Sequence, residues 1–287
     1  MTDSTFLKNN LSGSVPVEVA SDLIKNIVTT STAFKVCKHV PMTSDTKTLP
    51  VLSDTGTAYW TGEGEKIGTS IMAFDYPRLK ACKLAVIVPA TKEKLRDSTL
   101  NVLQDIKEGI ADAFVRAIDS AVFFGVNTPF EVNLCDVAET QKVAGTGKDK
   151  IDIDISSAMG LVEDNDLSVS AIITHNGMKK TFRDLRDKNG NAIVVPGNIT
   201  SSQIYNTPIY IPTSKAWNKE KAEVILGDFT RAVIGTRDNI EYEVLKEATV
   251  GNVNLAEQDL IAVKCTMRFG FNVVDSKAFA KVTPKVS

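Results

Sequence analysis

The chain carries two histidines, His39 and His175, and a Ser-His-Asp or Cys-His site for acyl transfer would have to use one of them. His39 stands among lysines in a β-prone stretch. His175 precedes Asn176-Gly177, where a helix-capping role accounts for it. The four cysteines, Cys37, Cys82, Cys135 and Cys265, are 45, 53 and 130 residues apart, so no CxxC pair exists. They read as reduced, mostly buried apolar side chains. Ala144-Gly145-Thr146-Gly147-Lys148 superficially suggests a phosphate loop, but Asp149 follows the lysine and no helix is expected behind it. It reads as a turn. GxGxxG, HExxH and GxSxG do not occur. Glu63 and Glu65 lie on a glycine-rich stretch and read as solvated. These residues make no case for an enzyme, and none for a metal or a cofactor.

The elements that would have to position any such chemistry are those of an ordinary globular chain: 287 residues, 43% hydrophobic and 24% charged. With 33 basic and 35 acidic residues the net charge is -2, which argues against a dedicated nucleic-acid binder. The start, MTDSTFLKNN, is not a signal peptide, and runs such as LAVIVPA at 84–90 are too short to span a bilayer. A protein of a reducing cytoplasm, without a membrane, is expected.

Along the chain, residues 1–14 read as a polar arm, followed by a short amphipathic helix with Val19, Leu23, Ile24 and Ile27 on one face, ended by the cluster at 29–32. Residues 34–52 are β-prone. SDTGTAYWTGEGEKIGTS at 53–70 has four glycines, several charges and no amphipathic period, with strand-like material on both sides. A long hairpin or excursion is expected there, and such loops tend to be functional. The clearest helix has apolar residues at Leu100, Leu103, Ile106, Ile110, Phe114, Ala117, Ala121 and Phe124. Asp97 or Ser98 can cap it and Gly125 ends it. Its roughly 26 residues span about 39 Å, long for a globular helix. An αβ region then runs over 154–260, with helices near 156–163 and 177–187, a Lys188-Asn189-Gly190 turn, and strands at 168–175, 192–195, 209–212, 224–228 and 233–236. A β-rich segment closes the chain at 259–282.

This order, with several local patterns, resembles the major capsid protein family of tailed bacteriophages, the Hong Kong 97 fold. VPVEVASDLIKNI resembles the family's N-terminal segment. AYWTGEGEKI at 58–67 resembles its "a-x-W-v-g-E-g" signature in an extended loop. Phe74 with KLAVIVPATKEKLRDS resembles the returning strand and the approach to a spine helix, whose end is resembled by 121–125. GDFTRAVIG at 227–235 is similar to a "G-D-F" strand, and QDLIAVK at 258–264 and AFAK at 278–281 resemble the closing strands. The match runs from about residue 15 to 283, and the joint order of these patterns is more specific than any one of them.

The resemblance implies an α+β fold: an N-arm (1–33), a peripheral domain (34–45, 81–151 and 256–287, spine helix about 99–124), an extended β-hairpin loop (46–80) and an axial domain (152–255). It implies a virion shell subunit, assembled in the host bacterial cytoplasm through pentamers and hexamers into an icosahedral head enclosing double-stranded DNA without sequence specificity. Trp60, Glu63, Glu65 and Lys66 on the loop would contact neighbouring subunits. Only residues 1–14 precede the first helix, so the scaffolding segment of some relatives either has been removed or is replaced by a separate scaffolding protein; Met1 favours the second, and a portal protein and decoration proteins are the further partners the resemblance implies. Some relatives weld their shells by an isopeptide bond. Here Lys66, one position out of register, and Asn239 fall near the relevant places, with Glu247 beyond as the base; a solvated lysine and a turn residue are the alternative. An encapsulin-type compartment shares the fold, and a small hydrolase using His175 is a remote alternative.

Overall fold

Residues 27, 29–54, 56–91, 102–147, 150–186, 189 and 203–285 are described by a computed structural model. The expected polar arm, most of the first helix, the Asp97 or Ser98 cap, the spine-helix residues before 102 and the strand at 192–195 lie outside them.

A long helix and two sheets organise the subunit. Helix α2 spans Val102–Phe124 and ends at Gly125, whose φ of +66° gives the left-handed stop expected of a glycine there. Its buried line runs Ile110, Phe114, Ile118 and Val122, four residues apart, while Ala117 is only partly covered. That line shares one core with Val263, Cys265, Met267, Phe269 and Phe271, alternate residues of strand β15 (Leu260–Val273). In the four-stranded sheet β1 (Lys38–Pro41) pairs parallel to β12 (Ala232–Leu245), which pairs antiparallel to β15, which pairs antiparallel to β6 (Cys82–Thr91). β6 alternates regularly: Leu84, Val86 and Val88 face the core while Lys83, Ala85 and Ile87 are exposed.

The six-stranded sheet has the order β7 (Lys142–Ala144), β16 (Phe279–Thr283), β11 (Val224–Gly227), β8 (Ala171–Thr174), β10 (Thr207–Tyr210) and β9 (Gln203–Ile204). Its central strands, AIIT and VILG, are buried throughout, which is why they read as unbroken apolar runs. Alternate residues serve two cores. Ile173, Ile225 and Phe279 join the α2 core, whereas Ile172, Leu226 and Ala280 pack with Ile151, Ile155 and Val162 of α4 (Ile151–Glu163) and with Phe182 of α5 (Met178–Asp184). The expected boundaries at 152 and 256 are therefore crossed by strand pairing. β7 and β16, placed in the peripheral domain, belong to this sheet, and β12, placed in the axial domain, belongs to the other. Strand partners far apart in sequence leave no local signal.

Three local expectations are corrected. Phe34–Val36 is not β but part of α1 (Thr32–Val36), because the Ser31 side chain accepts from Phe34 N–H and starts a new turn. The strand expected at 233–236 continues to Leu245, since Ile240, Tyr242 and Val244 alternate with charged residues in place of an apolar run. A helix does open behind the glycine-lysine turn, at Ile151, before the expected 156.

The expected hairpin springs from the four-stranded sheet. β2 (Thr46–Thr48) pairs with β5 (Arg78–Lys80), and β3 (Val51–Asp54) with β4 (Ala73–Asp75), both antiparallel. Met42, Leu79 and Val233 form a small core at its root, and Asn272 Nδ2 donates to Arg78 O at 2.8 Å. Gly235 and Gly270, directly opposed in β12 and β15, admit this root: a Cβ would come within 2.4 Å of Met42 Sδ at the first and 2.6 Å of Lys80 O at the second.

Candidate intersubunit surface

Between β3 and β4 the described residues 56–72 form no strand or helix, and their shape rests on a few bonds. Thr57 N–H donates to Ser70 Oγ at 2.7 Å, closing the base. At the tip Glu65 N–H donates to Gly62 O at 3.2 Å, and Gly62 N–H returns a bond to Glu65 Oε2 at 3.1 Å. Glu65 is thus part of a turn as well as a solvated charge. Trp60, Glu63, Glu65 and Lys66 all lie on this one excursion, and all four are exposed.

The apolar content is more telling than the charge. Trp60 is fully exposed, Ile71 86% and Ile67 74%, with Tyr59, Met72, Phe74 and Tyr76 each half-exposed or more. Burying one such side chain is worth about 1.5–3 kcal/mol. A hairpin that leaves seven in water has a surface suited to contact with another chain. The sequence pointed to Trp60, but Ile67, Ile71 and Met72 were missed; their signal was large apolar residues inside a stretch with no amphipathic period.

Asn239 lies elsewhere, within β12 beside two register shifts at Thr236–Asp238 and Asp238–Glu241, and Glu247 is exposed in the bend that follows that strand. Lys66 is therefore on the hairpin tip and the other two residues are on or next to the four-stranded sheet.

The remaining candidates are structural. The turn before α4 is closed by its own carboxylate: buried Asp154, in the first turn, accepts from Thr146 N–H at 2.8 Å and from Thr146 Oγ1 at 2.9 Å. An internal anion thus holds Thr146 where a phosphate loop would need its backbone free. His39 Nε2 lies 2.7 Å from Thr236 Oγ1, and burial lowers its pKa. His175 Nδ1 accepts from Gly177 N–H at 3.0 Å, just ahead of α5. All four cysteines are free. Burial pushes the Cys265 thiol up to about 11 and raises Cys37 and Cys135 as well, so they are poor nucleophiles. No group of three or more His, Cys, Asp or Glu among the described residues could hold a metal, and no described helix is long and apolar enough to cross a membrane.

Two buried polar clusters escaped the sequence. Asp119 in α2 accepts from Ser31 Oγ at 2.6 Å, Ala33 N–H at 3.0 Å and Thr32 N–H at 3.2 Å, so residues 31–33, read as part of the arm, are fastened inside the subunit. Buried Lys281 donates to Cys135 O at 3.1 Å and to Glu139, which also accepts from Lys142. These bonds from Lys142 and Lys281 hold the Glu139 carboxyl at about 2, below its ordinary 4.5. A carboxyl with a depressed folded pKa stabilises the fold above its unfolded pKa and loses that contribution as pH falls through the folded one. Acidification from about 4.5 to 2 should therefore lower the denaturant midpoint, and the loss should be smaller in Glu139→Gln. Equal acid sensitivity in the two proteins would show that the pair contributes nothing.

The phage capsid family model matches residues 13–283. The major capsid protein of Staphylococcus phage 80alpha is 30% identical over 294 residues, covering 98% of this chain and 88% of that one. A solved structure from Microbacterium phage Oxtober96 superposes with a TM-score of 0.78 at 29% identity, covering 89% of this chain and 91% of the other. A capsid chain of an empty GTA particle shares the fold alone, with a TM-score of 0.66 at 14% identity over 88% and 89% of the two chains. A core shared along nearly the whole sequence, and a hairpin that spends its apolar residues on the outside, fit one conclusion: the chain belongs to the phage capsid family, as a major capsid protein.

Proposed function

We propose that the subunit closes a shell by laying its 56–76 hairpin on a neighbour, in pentamers and hexamers that tile an icosahedral head around double-stranded DNA. The observation that carries this reading is the set of seven large apolar or aromatic side chains left exposed on one hairpin with a fixed root. A contact made by one face of a subunit on a different face of the next repeats around an axis and closes into rings. In this reading α2 and the four-stranded sheet are the peripheral part and the six-stranded sheet is the axial part, now including β7 and β16. Assembly would take place in the host cytoplasm with a separate scaffolding protein and a portal. DNA would be held as contents by salt-sensitive contacts, not read by sequence. Expression of the chain with and without a candidate scaffolding protein, followed by sedimentation and electron microscopy, tests the reading. Shells, or free pentamers and hexamers, are expected; a monomer under every condition would sink it.

Covalent welding through Lys66, Asn239 and Glu247 needs the three brought together with the lysine freed of its proton by burial; within one subunit Lys66 is exposed on the hairpin tip and the other two lie on or next to the four-stranded sheet, so only a neighbour could supply both conditions. We expect shells held by non-covalent contacts alone. Denaturing gels of mature particles should show one band at 31.1 kDa; a ladder that disappears in Lys66→Arg would establish the bond instead.

A further inference from the structure

His175, Asn176, Gly177 and Lys219 stand together at the turn between β8 and α5, away in sequence from the hairpin proposed to join subunits. The Gly177 N–H donates to His175 Nδ1 at 3.0 Å, so that ring nitrogen carries no proton. A Cβ on residue 177 would lie 2.8 Å from both His175 Cε1 and Nδ1, and 3.7 Å from Lys219 Nζ. Only glycine therefore fits against the ring, and the lysine ammonium faces the same spot. Asn176 is exposed, while His175 is 8% exposed. The backbone turns here through Met178 N–H to His175 O at 3.0 Å and Lys179 N–H to Asn176 O at 3.3 Å. This arrangement offers a nucleophile, a base, an electrophile and a cation.

We propose that this turn is a self-modification site, at which Asn176 loses ammonia through a succinimide formed with Gly177 and assisted by His175. Gly177 N attacks Asn176 Cγ, and the Gly177 amide proton passes to His175 Nδ1, already within the reach required of a general base. Negative charge develops on the Asn176 carboxamide oxygen, and the Lys219 ammonium, whose Nζ stands 3.7 Å from the Cβ position at residue 177, is the cation assigned to it. The tetrahedral carbon then expels the side-chain nitrogen, which takes the proton from His175 and leaves as ammonia, closing the ring. Water from the exposed side opens the ring at either carbonyl, giving aspartate or isoaspartate at position 176. No oxidant, metal or further reactant enters. Each subunit gains one negative charge beside Lys219, so a shell would record its age in charge.

The test is peptide mass analysis of the full-length protein aged at neutral pH, beside His175→Gln, which keeps a hydrogen-bond acceptor but is not a base, and Lys219→Met. Wild type should convert Asn176, with release of ammonia and the mass increase of an amide becoming an acid. His175→Gln should slow conversion by about 10²-fold, the lower end of what a positioned base supplies. Lys219→Met should slow it as well, and this variant carries the test if His175→Gln does not fold. Asn189-Gly190, the other Asn-Gly pair in the sequence, is followed in the same digests and should convert equally in all three proteins. An intact Asn176 in aged wild type overturns the proposal. So does conversion at an unchanged rate in the folded variants, or a slowing that affects Asn189 equally.

Discussion

Trp60→Glu should leave the subunit folded and abolish shell formation. The indole is fully exposed, so its removal takes no buried contact from the monomer. Surface substitutions of that kind change stability by about 0.5 kcal/mol or less. Between subunits the expectation reverses. Interface hot spots are enriched in tryptophan and cost about 2 kcal/mol or more when truncated. At 1.4 kcal/mol per factor of ten, 2 kcal/mol weakens each contact about thirtyfold. A closed shell repeats that contact in every subunit, so a modest local loss becomes failure to assemble. Glutamate adds an uncompensated charge to a surface that already carries Glu63 and Glu65. Trp60→Phe, which keeps most of the apolar area, should retain shells, and Ile67→Glu or Ile71→Glu should behave like Trp60→Glu. Thermal melting of the soluble fraction, with sedimentation for particles, separates the cases. Normal shells from Trp60→Glu would remove the hairpin from the interface.

What could be read from residues was whatever repeats locally. The Ile110–Phe114 spacing marked α2, the glycines and absent period of 53–70 marked the excursion, and buried runs such as AIIT marked central strands. What could not be read depends on partners distant in sequence. β12 was seen for only its first apolar residues, because Glu241 and Glu243 interrupt the pattern and only pairing with Thr266 and Lys264 makes them strand residues. β16 lies more than fifty residues after β11 and pairs with it, so no boundary drawn along the chain separates the two sheets. The candidate surface divides the same way. Trp60 stood out as a rare residue in a loop, but the exposure of Ile67, Ile71 and Met72 follows from β3–β4 pairing, which carries them away from the core.

Asp119 is a buried polar residue whose loss should cost the fold heavily. Its carboxylate satisfies the Ser31 hydroxyl and the N–H groups of Thr32 and Ala33, all buried, 86–88 residues away in the chain. Asp119→Ala leaves those donors unpaired, at about 1–3 kcal/mol each, while sparing the cost of burying a carboxyl. A net loss of about 3 kcal/mol is expected. Ser31→Ala removes one donor and the start of α1, for about 1 kcal/mol. Because both changes break one network, the double variant should lose less than the sum, which a double-mutant cycle reads directly. Burial raises the Asp119 pKa despite the hydrogen bonds from Ser31, Ala33 and Thr32, so the folded state holds this proton more tightly than the unfolded chain. The contribution therefore runs opposite to Glu139: it favours the fold at low pH and declines as pH rises from the ordinary 3.8 through the raised value. Asp119→Asn should keep part of the hydrogen bonding and lose that pH dependence. Hydrogen exchange supplies the local readout, since Ile27 and Phe34 belong to the α2 core only while this segment stays fastened. Slow exchange of residues 32–37 in Asp119→Ala would show that apolar packing alone holds the segment and that the carboxylate is dispensable.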